Sequence, residues 1–193
     1  MVNPIPPSTI TVFATADQDG AVGTTSDRVP KNWSLKLYQD SVGSGIVVDS
    51  VNSGSTLLVT GLPPGVYVAA EADSAGWTHI SQNVDGVSQG ATSAPTATIS
   101  VGSSEARSVE FFNTAPNMII SVGFTFSPET LTVDSGETVQ FVLDPMHNAR
   151  QVDSLAWIAN DTTSNGGFDL PQGGDPVVMD APGNAFYVCV PHA

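Results

Sequence analysis

The chain has 193 residues, 40% of them hydrophobic and only 12% charged, with 18 Gly and 14 Pro. Nineteen acidic side chains against five basic ones give a net charge of -14, which repels phosphate backbones and anionic lipid heads and argues against nucleic-acid or membrane-surface binding. No apolar run approaches the roughly 20 residues that span a bilayer, and the single cysteine, Cys189, rules out an internal disulfide.

The sparse charge and plentiful Val, Ile, Leu and Phe exclude disorder as the cause of the acidity. Residues 1–20 lack the basic start and apolar middle of a signal peptide. The chain therefore reads as a mature or excised piece, or as a cytosolic protein.

Taken in order, the pattern is that of β-strands. Ser8–Ala14, Trp33–Gln39, Ser55–Thr60, Val66–Glu71 and Ser108–Asn113 are short runs rich in β-branched and aromatic residues, with polar residues alternating. Turn signals separate them at Asp19-Gly20, Asn52-Ser53-Gly54, Pro63-Pro64-Gly65 and Asp85-Gly86. No long amphipathic helix is expected. Near Thr114-Ala115-Pro116-Asn117 one run ends, and a fresh run opens over Met118–Phe126. Proline there cannot donate to a ladder and favours an extended link. The expected organisation is all-β, with two consecutive β-sandwiches over residues 1–115 and 117–193.

The second half carries the chemistry. His147 lies in Pro145-Met146-His147-Asn148, and the chain closes with Tyr187-Val188-Cys189-Val190-Pro191-His192. Cys189 and His192 sit at the end of a strand run, close enough to share one turn. His147 supplies a distant third donor, so the site cannot form in the unfolded chain. A thiolate with two imidazoles is a borderline-soft set that suits copper and also accommodates zinc.

Residues 118–193 resemble a cupredoxin of the plastocyanin type, the small blue-copper electron carriers. The residues that carry the resemblance are Phe126-Ser127-Pro128, the run from Leu131 to Val139, and His147-Asn148. Ala181-Pro182-Gly183, Phe186-Tyr187-Val188-Cys189 and Pro191-His192 complete the pattern. The resemblance implies a Greek-key sandwich with His147, Cys189 and His192 as equatorial copper ligands. Asn148 would tie the first-His loop to the Cys loop. Pro191, lacking an N–H, would leave more negative charge on the sulfur and hold the potential down. Members of that family place a weak axial Met beyond the second His and then a last strand. Both are expected beyond Ala193, since neither Met146 nor Met179 reads as a substitute. Trp157 and Phe168 are expected in packing at the core or the site rim.

In the first half, Phe13 through Asp17-Gln18-Asp19-Gly20, Trp33–Tyr38, Thr60–Val68, Glu71 and Gly76-Trp77 resemble the prealbumin-like B modules of bacterial surface adhesins. The resemblance implies a sandwich serving as a stalk or spacer. Some such modules form a Lys–Asn isopeptide bond beside an acid. Asn113 and Glu71 match the acceptor and the acid, but Ile10–Ala16 has no Lys, so no crosslink is expected. Others bind calcium, and Asp17, Asp19 and Asp27 are the candidate oxygen ligands, although a solvated turn is the simpler reading of Asp-Gly. His79 has no evident partner in the sequence and reads as structural or exposed.

Together these readings describe a secreted, periplasmic or surface protein of bacterial type. It would bind copper and transfer electrons to a redox protein partner, without enzymatic turnover. The alternative is a structural adhesin or stalk fragment whose second domain holds no metal. A multicopper oxidase or nitrite reductase fragment fits least, because the chain has only three His.

Overall fold

The computed structural model describes residues 7–18, 20, 28–42 and 45–193, and it is all-β apart from one short helix and one 3-10 turn. The chain divides into two compact units, Met1–Thr114 and Ala115–Ala193. No helix among the described residues is long and apolar enough to cross a membrane.

Unit 1 contains β1 (Ser8–Asp17), β2 (Arg28–Pro30), β3 (Trp33–Gln39), β4 (Ile46–Gly54), β5 (Thr56–Leu62), β6 (Gly65–Glu71), β7 (Thr78–Val84), β8 (Val87–Ala91), β9 (Thr96–Val101) and β10 (Ala106–Thr114). One sheet runs β2-β1-β10-β7-β8 with β5 also on β1, and the other runs β4-β3-β6-β9. Strict alternation explains the pairing of faces. On β3, Trp33, Leu35 and Leu37 are buried while Ser34 and Lys36 look outward; on β9 the same holds for Ala97, Ile99 and Val101. These residues meet Ile10, Val12, Val109 and Phe111 of the opposite sheet in one core. Each large side chain so buried contributes roughly 1.5–3 kcal/mol relative to exposure.

The first and last strands of unit 1 are neighbours and parallel, in register from Thr9↔Ala106 to Ala16↔Asn113. Ala16 is therefore the β1 residue beside Asn113. The Asn113 amide donates to Glu71 Oε2 at 2.9 Å, a buried hydrogen bond that ties β10 in one sheet to β6 in the other. His79, which the sequence left without a partner, belongs to the same cluster. Its Nε2 is 3.2 Å from Gln82 Oε1 and its Nδ1 is 3.9 Å from Glu71 Oε1. The cause is tertiary: β7 pairs with β10 and sets His79 opposite Asn113.

Asp17 is fully buried, and its carboxylate accepts from Arg28 Nε at 2.9 Å and from the Gly20 N–H at 3.0 Å. The Arg28 guanidinium in turn lies over the Phe112 ring. Asp19 and Asp27, the other two candidate calcium ligands, lie outside the described residues.

Unit 2 contains β11 (Met118–Val122), β12 (Thr125–Ser127), β13 (Thr138–Val142), β14 (Ala149–Val152), α1 (Ser154–Ala159), β15 (Ser164–Leu170), β16 (Pro176–Val178) and β17 (Phe186–Val188), followed by a 3-10 turn at Val190–His192. Its sheets run β12-β11-β13-β16 and β15-β14-β17. Ile119, Val139 and Phe141 from the first share a core with Ala149 and Leu170 from the second. The run Met118–Phe126 is two strands where the sequence reads as one. Gly123, at φ +58, opens a two-residue turn that folds β12 back on β11.

Burial raises the Glu71 carboxyl to about 7, with the nearby Asp73 charge adding to the rise and the Asn113 hydrogen bond opposing it. Burial lowers the His79 imidazole against its hydrogen bonds to Gln82 and Asn113. A raised carboxyl favours folding fully below its ordinary value of 4.5 and loses that contribution as pH climbs to about 7. The His79 contribution runs the other way and is lost as pH falls below 6.5. Glu71→Gln removes only the first effect. Its stability relative to wild type, read from hydrogen exchange of the β10 amides, is expected to improve steadily between pH 4.5 and 7 and to stay level outside that window. A pH-independent difference would refute this assignment.

Candidate metal centre

His147 follows β13 in a turn built from the sequence Asp144-Pro145-Met146. Asp144 Oδ1 accepts from the Met146 N–H at 3.2 Å. The His147 N–H donates to the Asp144 carbonyl at 2.8 Å, and its own carbonyl accepts from the Gly173 N–H at 3.0 Å. The backbone of His147 is thus held from both sides before any ligand is considered.

Cys189 and His192 come from the last segment of the unit. β17 leads into the 3-10 turn, where the His192 N–H donates to the Cys189 carbonyl at 3.0 Å. Pro191 occupies the first turn of that segment, a position where a missing N–H costs nothing. β17 pairs antiparallel with β14 through Arg150↔Val188, Gln151↔Tyr187 and Val152↔Phe186. Since His147 and Asn148 immediately precede β14, this ladder brings the first His to the end of the strand that carries Cys189.

The three donors converge. Cys189 Sγ is 3.6 Å from His147 Nδ1 and 3.2 Å from His192 Nδ1. All three ligand atoms lie within 4.8 Å of one another, and the cluster is the group of metal-type donors found among the described residues. The two imidazole rings are 4.5 Å apart at 45°. His147 and Cys189 are buried, at 5% and 6% exposure, while His192 is half-buried. Metal–sulfur bonds of about 2.3 Å and metal–nitrogen bonds of about 2.0 Å place such donors about 3.5 Å apart, so the spacing fits a shared ion. One sulfur and two nitrogens with no oxygen suit copper or zinc and fit calcium or magnesium poorly.

Asn148 sits beside the donors. Its Oδ1 accepts from the Val190 N–H at 2.8 Å, a hydrogen bond across 42 residues that fastens the turn bearing His147 to the turn bearing Cys189 and His192. Behind Cys189, Tyr187 packs edge-on against Phe126 and Phe141, at 5.0 Å and 5.2 Å between ring centres, and burial pushes its phenol up to about 12. The site therefore rests on a rigid aromatic block whose hydroxyl stays neutral at ordinary pH. Phe168 belongs to that block, 5.4 Å from Phe141.

Two aromatic residues flank the donors: Trp157, expected at the core or the site rim, and Phe124, which the sequence reading did not single out. Trp157 on α1 is half exposed and packs on Phe186, beside a cleft that reaches Cys189. Phe124 meets His192 edge-on at 5.0 Å. The signal available for Phe124 was Gly123, which marks a turn inside an otherwise apolar run. Met146 is 60% exposed and lines an opening beside His147, whereas Met179 packs against the core of unit 2.

No protein-family model matches the chain, and no curated protein does. Among solved structures, the chain is similar to the minor pilin GBS52 of Streptococcus agalactiae, with 15% identity over 68% of this chain and a TM-score of 0.38. A streptococcal ancillary pilin matches with 13% identity over 97% of the chain and a TM-score of 0.40. The major pilin of Streptococcus pyogenes matches with 13% identity over 57% and a TM-score of 0.33. The chain spans about half of each of these structures, at 49%, 54% and 48%. At these scores the architecture rests on the strand order described above.

Asn148→Ala deletes the tie between the two donor-bearing turns. Outer-shell losses of this kind cost about 10–100-fold in metal affinity, and that drop is expected in a Co(II) titration followed by absorption. Unchanged affinity would show that the two turns hold their spacing without Asn148.

Proposed function

We propose that unit 2 is a mononuclear copper-binding domain serving one-electron transfer, with unit 1 as a β-sandwich spacer on a secreted or surface protein. The observation that supports this is the convergence of Cys189 Sγ with the Nδ1 atoms of His147 and His192, at 3.6 Å and 3.2 Å. The solved structures matched are pilins and adhesins and lend the copper reading no support of their own.

When bound, copper supplies a one-electron couple. The chain's own residues do the rest. The two backbone hydrogen bonds at His147 and the Asn148–Val190 bond hold the donors in one arrangement, so little rearrangement accompanies a change of charge. Tyr187, two residues before Cys189, packs with Phe126 and Phe141 and stiffens the strand end that leads to the sulfur. His192, the half-buried donor, is the edge of the site nearest solvent and the natural contact for a redox protein partner.

Titration of Cu(II) into the chain is expected to produce an intense band near ~600 nm, the signature of a copper–thiolate bond. Cys189→Ser is expected to abolish it while leaving the fold intact. If wild-type chain binds one equivalent of copper without that band, or binds none, the electron-transfer reading is overturned.

A second reading, a structural stalk with a metal-free unit 2, is favoured by the parallel pairing of β1 with β10. Tension applied through the two ends of unit 1 loads that whole ladder in shear at once, instead of unzipping it pair by pair. In unit 2 the opening strand β11 and the closing strand β17 belong to different sheets and share no ladder. Pulling the chain by its ends is expected to give two steps. The higher-force step should release the longer contour, roughly 350 Å for a unit of this length. Release of the longer contour at the lower force would remove this support.

A further inference from the structure

We propose that Phe124 controls access to the three-donor cluster, deciding by size which ligands reach a bound metal; the inference rests on the metal-binding reading above. Phe124 stands at the tip of the turn between β11 and β12, placed there by Gly123 at φ +58. It is 75% exposed, an unusual position for a large aromatic, and its ring lies edge-on to His192 at 5.0 Å and 66°. Two openings lead toward the donors. One, of about 250 Å³, reaches His147 between Phe124, Asp144 and Met146. The other, of about 160 Å³, reaches Cys189 and His192 between Phe124, Trp157 and Tyr187.

Phe124 is the side chain common to both openings, so its ring is the partition between them. With the partition present, each approach is confined to one side of the Phe124 ring. An anion of two or three atoms passes either side. A hexadentate aminocarboxylate must wrap the ion from several directions and is held off. Truncating the ring joins the two openings over His192 and removes the obstacle to the larger ligand alone.

The test uses the whole chain loaded with Co(II), whose absorption reports the coordinated ion directly. Metal removal is timed with EDTA and, separately, with cyanide, at one ionic strength. In Phe124→Ala, removal by EDTA is expected to speed up about twofold to tenfold, a barrier change of roughly 0.4–1.4 kcal/mol. Removal by cyanide is expected to stay within about twofold of wild type on the same scale, and Phe124→Leu should fall between. Thermal unfolding of unit 2 should not move, because the ring is mostly in solvent.

Equal acceleration by both reagents would mean that Phe124 merely steadies His192, and the size-selection proposal would be overturned. No acceleration by either would overturn it as well. If wild-type chain takes up no Co(II), the metal-binding reading itself fails and this inference goes with it, an outcome separable from the other two.

Discussion

The candidate centre depends on one short ladder. β14 and β17 pair over three residues, and that pairing carries His147 to Cys189 across 42 positions of sequence. The second imidazole needs no such help, because a single 3-10 turn separates Cys189 from His192. Two donors are therefore set by local geometry and the third by tertiary structure. A slip of the ladder by one residue would turn the β17 side chains to the other face and move the end of the strand away from His147.

Fixed donors of this kind need a frame that does not yield. The His147 N–H donates to the Asp144 carbonyl and its carbonyl accepts from Gly173, Asn148 joins the two turns, and Tyr187 anchors the strand that leads to the sulfur. Each support comes from a different element, so the donor spacing is over-determined. Unit 1 holds a polar cluster of another kind. Glu71, His79, Gln82 and Asn113 form a buried hydrogen-bonded cluster that links strands of both sheets. Burial there shifts proton affinities and couples the sheets to pH.

The sequence shows what is local and conceals what is not. Alternation on Trp33–Gln39 reads directly as one buried and one more open face. Cys189 and His192 are legible as a pair because their spacing is that of one turn. His147 is legible only through its likeness to a known pattern, since nothing in its own neighbourhood records that β14 will meet β17. His79 reads as solitary for the same reason: Glu71 and Asn113 come from other strands. Phe124 is hidden in an apolar run that reads as continuous strand, and only the positive φ at Gly123 turns it toward His192.

The late position of Cys189 and His192 has a consequence for maturation. His147 leaves the ribosome some forty residues ahead of the thiol that must meet it, so β13 and its turn exist before the sulfur does. Until β17 docks on β14, Cys189 is an uncovered thiol, open to oxidants and to any soft ion at hand. Docking both conceals it and finishes the site in one event. The three donors therefore act as one group only once β17 has docked on β14.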